Sequence, residues 1–491
     1  MLKLQKQDAT DSAVLHVCNV LGGVCDTADS VRFTFALLLL KYLSDVGPEE
    51  YESNEPMADA RFILPAQARF YSLHAARHLP DNAVRIDDAL RALEAANAEL
   101  RGVFQGISFD APILGSREQK DRLLSRLLDA FNAQALDFRP NQEGTPQSAA
   151  AAGKALLMYV SVSSGKRGGE FFTTPELSQL IARLMHPRAG EAIFDPCCGT
   201  ALTLIMCNQI ARQASGGSGC TLYGQEVNGN TWALAKMNMI LNGETDYELI
   251  LGDTLRNPGL LDDLNRLKRF DVVVSNPPFS MRDWGFEDAR GDCFGRYERG
   301  IPPRSSGDYA FISHMIQTLK PENGRMAVIV PLGVLSRGAA ELQIRTELVK
   351  ENLIDAVIAL PAKMLFNTAI PAAILVIRQN KADDGILFID ASRSYQPGKI
   401  QNVLRQADLD QIEDTYHDRA VVEHYSRRVS QADIAANDFN LSVNRYIEIA
   451  ANEVQVDLPA LREARALLKE ELVSLEAKLA KLLQEIGDAS G

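Results

Sequence analysis

The chain has 491 residues, 46% of them hydrophobic and 23% charged, an ordinary globular composition with apolar mass for two or three cores. Its formal net charge of -13 excludes a protein that coats nucleic acid by bulk attraction, and leaves room only for a local patch or a basic partner. The seven cysteines show no metal-ligand spacing, so reduced thiols and no metal site are expected.

The amino terminus has no signal-peptide pattern. Its longest apolar run, Phe33 to Leu40, falls short of the roughly 20 residues that span a bilayer. The expectation is a soluble cytoplasmic protein with no membrane partner. From Asp11 to about Leu136 the chain reads mostly as helix, carried by "SVRFTFALLLLKYLSDVG" and by "IDDALRALEAANAELRGVF" with its charged outer face. The stretch "PNQEGTPQSAAAAG", residues 140 to 153, reads as a linker.

After Glu170 the pattern changes to strand–helix alternation. Apolar runs appear at "EAIFDPCC", "CTLYGQE", "YELILGD", "FDVVVSNPP", "RMAVIVP", "IDAVIALP" and "AAILVIRQ". Such runs joined by helices predict an α/β fold, a mainly parallel sheet covered on both faces. Ligands then sit beyond the carboxyl ends of the strands, near the switch in strand order. Asp195, Glu226, Asp253 and Asn276 all fall at such ends.

In "DPCCGT" an acid ends the first strand and Gly199 turns the chain into a helix whose free N–H groups face the loop. No Gly-Lys-Ser/Thr follows, so phosphate is not the favoured ligand. Glu226 suits two ribose hydroxyls, and Asp253 an exocyclic amine; either alone would more often be an ordinary surface or turn acid. In Asn276-Pro277-Pro278-Phe279 the asparagine offers a carbonyl acceptor and the prolines fix the backbone, so the Pro277 carbonyl can be held in a set direction. Two acceptors converging on one –NH2 group would free its electron pair for attack. Phe279 offers a flat face worth about 1–3 kcal/mol to a stacked base. The site is one for a planar ring bearing an exocyclic amine.

The segment Met281 to Tyr309, rich in Arg, Gly and acids, reads as a mobile loop with Arg296, Arg299 or Arg304 on phosphate, or equally as a solvated loop. Near the end, Leu461, Leu468, Leu475 and Leu482 recur every seven residues, and Leu458, Leu472, Leu479 and Ile486 take the complementary place, interrupted by Arg465. This is a coiled-coil seam, expected to take a partner helix. The division expected is 1–150 helical, 151–450 catalytic and 451–491 a C-terminal helix.

"NPPF" after "FDVVVS" and "DPCCGT" resembles the S-adenosylmethionine-dependent adenine-N6 DNA methyltransferases. "GGEFFTTPELSQLIARLM", "FALLLLKYLSD", "FNTAIPAAILVIRQNK" and "NDFNLSVNRY" narrow this to a resemblance to the modification (M) subunits of type I restriction–modification systems. The resemblance implies a Rossmann-like S-adenosylmethionine-dependent methyltransferase sheet. Glu170, Phe171, Phe172, Thr173, Thr174 and Pro175 would close over the methionine end, with Thr173 or Thr174 near its carboxylate. Asp195, Gly199, Thr200 and Ala201 would form the first cofactor loop, Glu226 would hold the ribose and Asp253 the cofactor's adenine. Asn276, Pro277, Pro278 and Phe279 would be catalytic, on a base flipped from the duplex. Implied partners are double-stranded DNA, a specificity (S) subunit docked on the C-terminal helix, a restriction (R) subunit and a second copy of the chain. Two departures from the family pattern stand out: Ala201 replaces a second glycine, and "EFFTTP" has one residue more than the usual Glu-Phe-Tyr-Thr-Pro. The alternatives carried are a stand-alone or other defence-system adenine-N6 methyltransferase, the same chemistry on glutamine or cytosine N4, and an inactive assembly subunit.

Overall fold

The computed structural model describes residues 2–47, 61–139, 146–163, 173–365, 370–398, 401–448, 465–470, 472 and 474–478. Met1–Ile447 forms one compact unit and Glu448–Gly491 a second.

The amino-terminal part is helical: α1 (Leu2–Leu21), α2 (Thr27–Val46), α3 (Phe70–Ala75), α4 (Asn82–Ala96), α5 (Arg117–Phe131) and α6 (Pro146–Ser163). α2 is buried all round from Phe35 to Leu40, so it forms the axis of this core rather than an amphipathic flank. α5 starts at a capping box, Ser116 with Gln119. α4 is shorter than its periodicity predicts. Asn97 ends it, its side-chain amide bonded to both backbone groups of Ile63 at 2.8 Å.

The linker expected over 140 to 153 is corrected from residue 146 onward. α6 begins there, and the alanine run is a packing face: Ala149, Ala152, Leu156 and Leu157 are buried in the helical core. Small side chains look like a loose connection in sequence, but they let helices approach closely. The boundary drawn at residue 150 falls inside this helix.

The helices α7 (Pro175–Met185), α8 (Leu202–Ser215), α9 (Gly229–Leu241), α10 (Asp308–Gln317), α11 (Ala339–Lys350), α12 (Gln406–His417) and α13 (Gln431–Ala436) accompany a nine-stranded sheet. Its strands are β1 (Ala192–Asp195), β2 (Thr221–Glu226), β3 (Tyr247–Leu251), β4 (Val272–Ser275), β5 (Arg325–Pro331), β6 (Ile354–Ala359), β7 (Ala372–Arg378), β8 (Ile386–Asp390) and β9 (Ser426–Val429), in the order β3-β2-β1-β4-β5-β7-β6-β8-β9. All seven apolar runs read from the sequence are strands. β7 runs antiparallel between β5 and β6, and β9 antiparallel at the edge, so the parallel rule holds for the half that bears the site.

Separate cores line the two faces of the sheet, one built with α7, α8 and α12, the other with α10, α11 and α13. α9 belongs to two cores at once. Ala235 and Met239 pack with the sheet, while Ala233, Leu234, Met237, Ile240 and Leu241 complete the helical core. β1 lies between β2 and β4, which puts the switch in strand order at its carboxyl end. Among the described residues no helix is long and apolar enough to cross a membrane.

Candidate functional site

β1 ends on Asp195, whose Oδ1 accepts the Cys197 N–H at 2.9 Å and the Ser275 hydroxyl at 2.8 Å. Ser275 is the last residue of β4, so one buried carboxyl joins the first loop to the residue before Asn276. Burial, and to a lesser degree the Glu226 charge, push its pKa up to about 7 against those two hydrogen bonds.

The turn then passes close over β2. A Cβ on Gly224 would lie 2.6 Å from Leu249 Cδ2 and 3.0 Å from Cys198 Sγ, so the loop seats there because that position has no side chain. Gly199 holds φ 53° and donates its N–H to Glu226 Oε2 at 3.1 Å, while Glu226 Oε1 accepts from Asn228 N–H at 2.8 Å. Acceptor capacity remains on that carboxylate, whose pKa burial raises. Ala201 caps α8 at φ 62°, a left-handed conformation that costs an L residue about 1 kcal/mol or more. The family glycine would sit there without strain.

Asp253 follows β3, its Oδ1 accepting the N–H groups of Leu255 at 2.9 Å and Arg256 at 3.1 Å. Beside it Thr254 Oγ1 lies 3.2 Å from His314 Nε2, and Arg296 Nη1 lies 3.4 Å from His314 Nδ1. A guanidinium can only donate, so Nδ1 accepts and Nε2 carries the proton to Thr254. Burial first, then Arg296, lower the His314 pKa to about 3.

Asn276 Nδ2 donates to Thr173 Oγ1 at 3.1 Å. With its amide nitrogen committed, the side chain offers Oδ1 as an acceptor. The two threonines separate cleanly. Thr174 is buried and caps α7, accepting from Leu177 N–H at 3.3 Å, while Thr173 faces the cavity. Glu170, Phe171 and Phe172 lie outside the described residues.

A cavity of about 330 Å³ brings together Thr173, Gly199, Thr200, Glu226, Asp253, Asn276 and Pro278. Asp195, Thr174, Pro175, Ala201, Pro277 and Phe279 are not on its wall; Phe279 is half-buried against the core of α7 and α8. Thr203, Val227, Thr254, Met281 and Phe311 line it and were not read from the sequence. Val227 had a signal, an apolar residue directly after a strand-end acid, and it is 65% exposed at the rim. Phe311 had none, because an aromatic ring in an apolar helix usually serves only the core.

Among the described residues no lysine, arginine or histidine lines the cavity. Two carboxylates, several neutral polar groups and an apolar rim fit a phosphate-free ligand that carries positive charge, hydroxyls and a flat ring. S-adenosylmethionine is such a ligand.

Two expectations need correction. The segment 281–309 has a small core of its own, in which Trp284 is 1% exposed among Leu255, Ala289, Tyr297, Ala310 and Phe311. Arg296 is buried, paired with Asp292 at 2.8 Å, so it supports His314 and does not reach phosphate. Arg299 pairs with Glu351 at 2.6 Å and Arg304 with Glu287 at 2.9 Å, the latter pair exposed. All seven cysteines are free, and burial raises the thiols of Cys197 and Cys198 well above their ordinary pKa. Among the described residues one group, His186, Glu413 and His417, has metal-compatible spacing. It lies outside the cavity, with Glu413 held by Arg183 at 2.9 Å.

A doubly wound sheet with acids at successive strand ends and Asn-Pro-Pro-Phe beside them defines an amino-methyltransferase. The family model "N-6 DNA Methylase" matches residues 152–455, and "HsdM N-terminal domain" matches residues 10–131. The type I restriction enzyme HindI methylase subunit of Haemophilus influenzae is 30% identical over 427 residues, 82% of this chain and 92% of that protein. The MpnII methylase subunit of Mycoplasma pneumoniae is 28% identical over 89% of this chain and 85% of its own length. A solved type I restriction–modification methyltransferase subunit from Streptococcus thermophilus is 26% identical, with a TM-score of 0.80 over 90% of this chain and 100% of its own. The chain belongs to the N-6 DNA methylase family and, within it, to the methylase subunits of type I restriction enzymes. It is an adenine-specific DNA methyltransferase that uses S-adenosylmethionine.

Proposed function

We propose that this chain methylates adenine N6 in double-stranded DNA as the modification subunit of a cytoplasmic complex in which a separate specificity subunit reads the sequence. The observation that carries this reading is the single cavity uniting Glu226, Asp253 and the Gly199–Thr200 turn with Asn276. Bound there, S-adenosylmethionine would supply an electrophilic methyl group on a cationic sulfur. Glu226 holds the ribose hydroxyls, Asp253 the exocyclic amine of the cofactor's adenine, and Thr173 the methionine end. Glu170, Phe171 and Phe172 would complete the methionine side, Thr174 and Pro175 hold Thr173 in place by opening α7, and Asp195 and Ala201 shape the turn from behind. Asn276 and Pro277 accept the hydrogens of the target amine, and Pro278 and Phe279 set and stack the flipped base.

The helical 1–150, catalytic 151–450 and terminal 451–491 segments divide the labour. The terminal segment docks on the specificity subunit, and a restriction subunit and a second copy complete the assembly. In support, its described residues are helical, and Leu468, Leu472 and Leu475 of the heptad seam are exposed. Leu458, Leu461, Leu479, Leu482 and Ile486 lie outside the described residues. The test is transfer of labelled methyl to unmodified duplex by the chain alone and with its partner subunit. Transfer only with the partner, recovered as N6-methyladenine, is expected; transfer by the chain alone would remove the division of labour. A chain ending at residue 454 should lose partner binding yet bind S-adenosylmethionine as the full chain does. Retained partner binding would sink the docking role of the tail.

A further inference from the structure

We propose that Arg337 is a positioning residue that holds the exit of the Asn276–Phe279 loop. The chain leaves Phe279 through Ser280 at φ 51°, a left-handed conformation that an L residue keeps only when its surroundings impose it. The restraint is Asp308. Its Oδ1 accepts the Ser280 N–H at 2.7 Å, and its Oδ2 accepts the Ser306 hydroxyl at 2.9 Å and Arg337 Nη1 at 2.8 Å.

The same guanidinium reaches Glu341 Oε1 at 3.1 Å and Ser280 Oγ at 3.4 Å. Asp308 and Glu341 carry side chains only 3% and 2% exposed. One cation thus serves two buried acids and offsets the repulsion between them.

The fold makes room for this arrangement. A Cβ on Gly333 would lie 2.6 Å from Arg337 Nε, so the side chain lies across a residue that has none. A second tie runs beside the first, Gly307 N–H to the Met281 carbonyl at 2.8 Å. Asp308 also opens α10, which carries Phe311 on the cavity wall. Arg337 does not line the cavity itself, so it acts on the target loop through Asp308 and Ser280, and the cofactor's contacts stand apart from it.

The inference rests on the assignment of Asn276–Phe279 as the target-base loop, and its test separates the two. In the complex of the full chain with its partner subunit, Arg337→Gln should lower kcat about tenfold to a hundredfold, as expected when a reacting group is misplaced by about 1 Å. Affinity for S-adenosylmethionine should stay within about twofold. Arg337→Lys, which keeps the charge and loses the fork, should recover part of the rate. Asp308→Asn keeps the acceptor for Ser280 and loses the ion pair, so it too should slow kcat, and combining it with Arg337→Gln should add little further loss. Unchanged kcat in Arg337→Gln, or a parallel fall in cofactor affinity and melting temperature with no rescue by lysine, would overturn the proposal. Asn276→Ala measured alongside distinguishes the failures: if that variant stays active, the loop assignment itself is wrong.

Discussion

Asn276→Ala is expected to lower kcat by about 10²–10³ while leaving S-adenosylmethionine affinity within about twofold. As the new N–C bond forms, positive charge grows on the amine nitrogen and its N–H groups become stronger donors. An acceptor aimed at them therefore gains more in the transition state than in the ground state. Asn276 is prepared for that task because its Nδ2 is already spent on Thr173 at 3.1 Å. Alanine removes the acceptor and also leaves Thr173 without its donor. Single-turnover transfer of labelled methyl, paired with calorimetric cofactor binding, separates rate from affinity. A kcat within about threefold of the parent would mean that the side-chain carbonyl does not meet the target amine.

The half of the sheet that bears the site was legible in the sequence for a physical reason. Strands buried on both faces have no polar face, so β1, β4 and β5 stand out as apolar runs, and an acid or an Asn-Pro at the end of such a run is conspicuous. β8 and β9 failed that criterion. "ILFID" is a short run between polar stretches, and "SRRV" is an edge strand with both arginines exposed. The helix over 146–163 was hidden by its alanines, whose value lies in close packing rather than apolar bulk. Arg296 looked like a surface cation because its partner Asp292 is local and acidic, and nothing in that spacing says that both are buried. The choice between Thr173 and Thr174 depended on where α7 begins. A capping threonine directly before Pro175 fixes it. The Ser280–Asp308–Arg337 chain joins residues 28 and 29 positions apart in turn, so no local pattern could reveal it.

Asp195→Asn is expected to stabilise the cofactor-free chain while weakening its hold on the methyl donor, and both effects should depend on pH. The folded-state pKa of Asp195 is raised from 3.8 to about 7. A carboxyl so raised contributes stability that is present in full below its unfolded value and lost as pH rises through its folded one. At about 1.4 kcal/mol per unit, the fold forgoes up to about 4 kcal/mol by pH 8. Asparagine keeps an oxygen for the Cys197 and Ser275 bonds and removes the charge beside Glu226. The variant should therefore gain most in urea unfolding near pH 8, with the gain shrinking by about half toward pH 5.5. A cationic ligand bound above the first loop favours the ionised carboxyl, so affinity in the parent chain should rise with pH through about 7. In the variant the rise should be smaller, with Glu226 the carboxyl left to titrate beside the ligand. A variant no more stable than its parent at pH 8 would mean that the buried carboxyl is not strained. Parallel affinity profiles would mean that its charge is not felt by the ligand. Should both hold as expected, the chain tolerates a costly buried acid because the sulfonium is recognised by charge as well as by shape, and the same carboxyl that senses the donor also fixes the residue before Asn276.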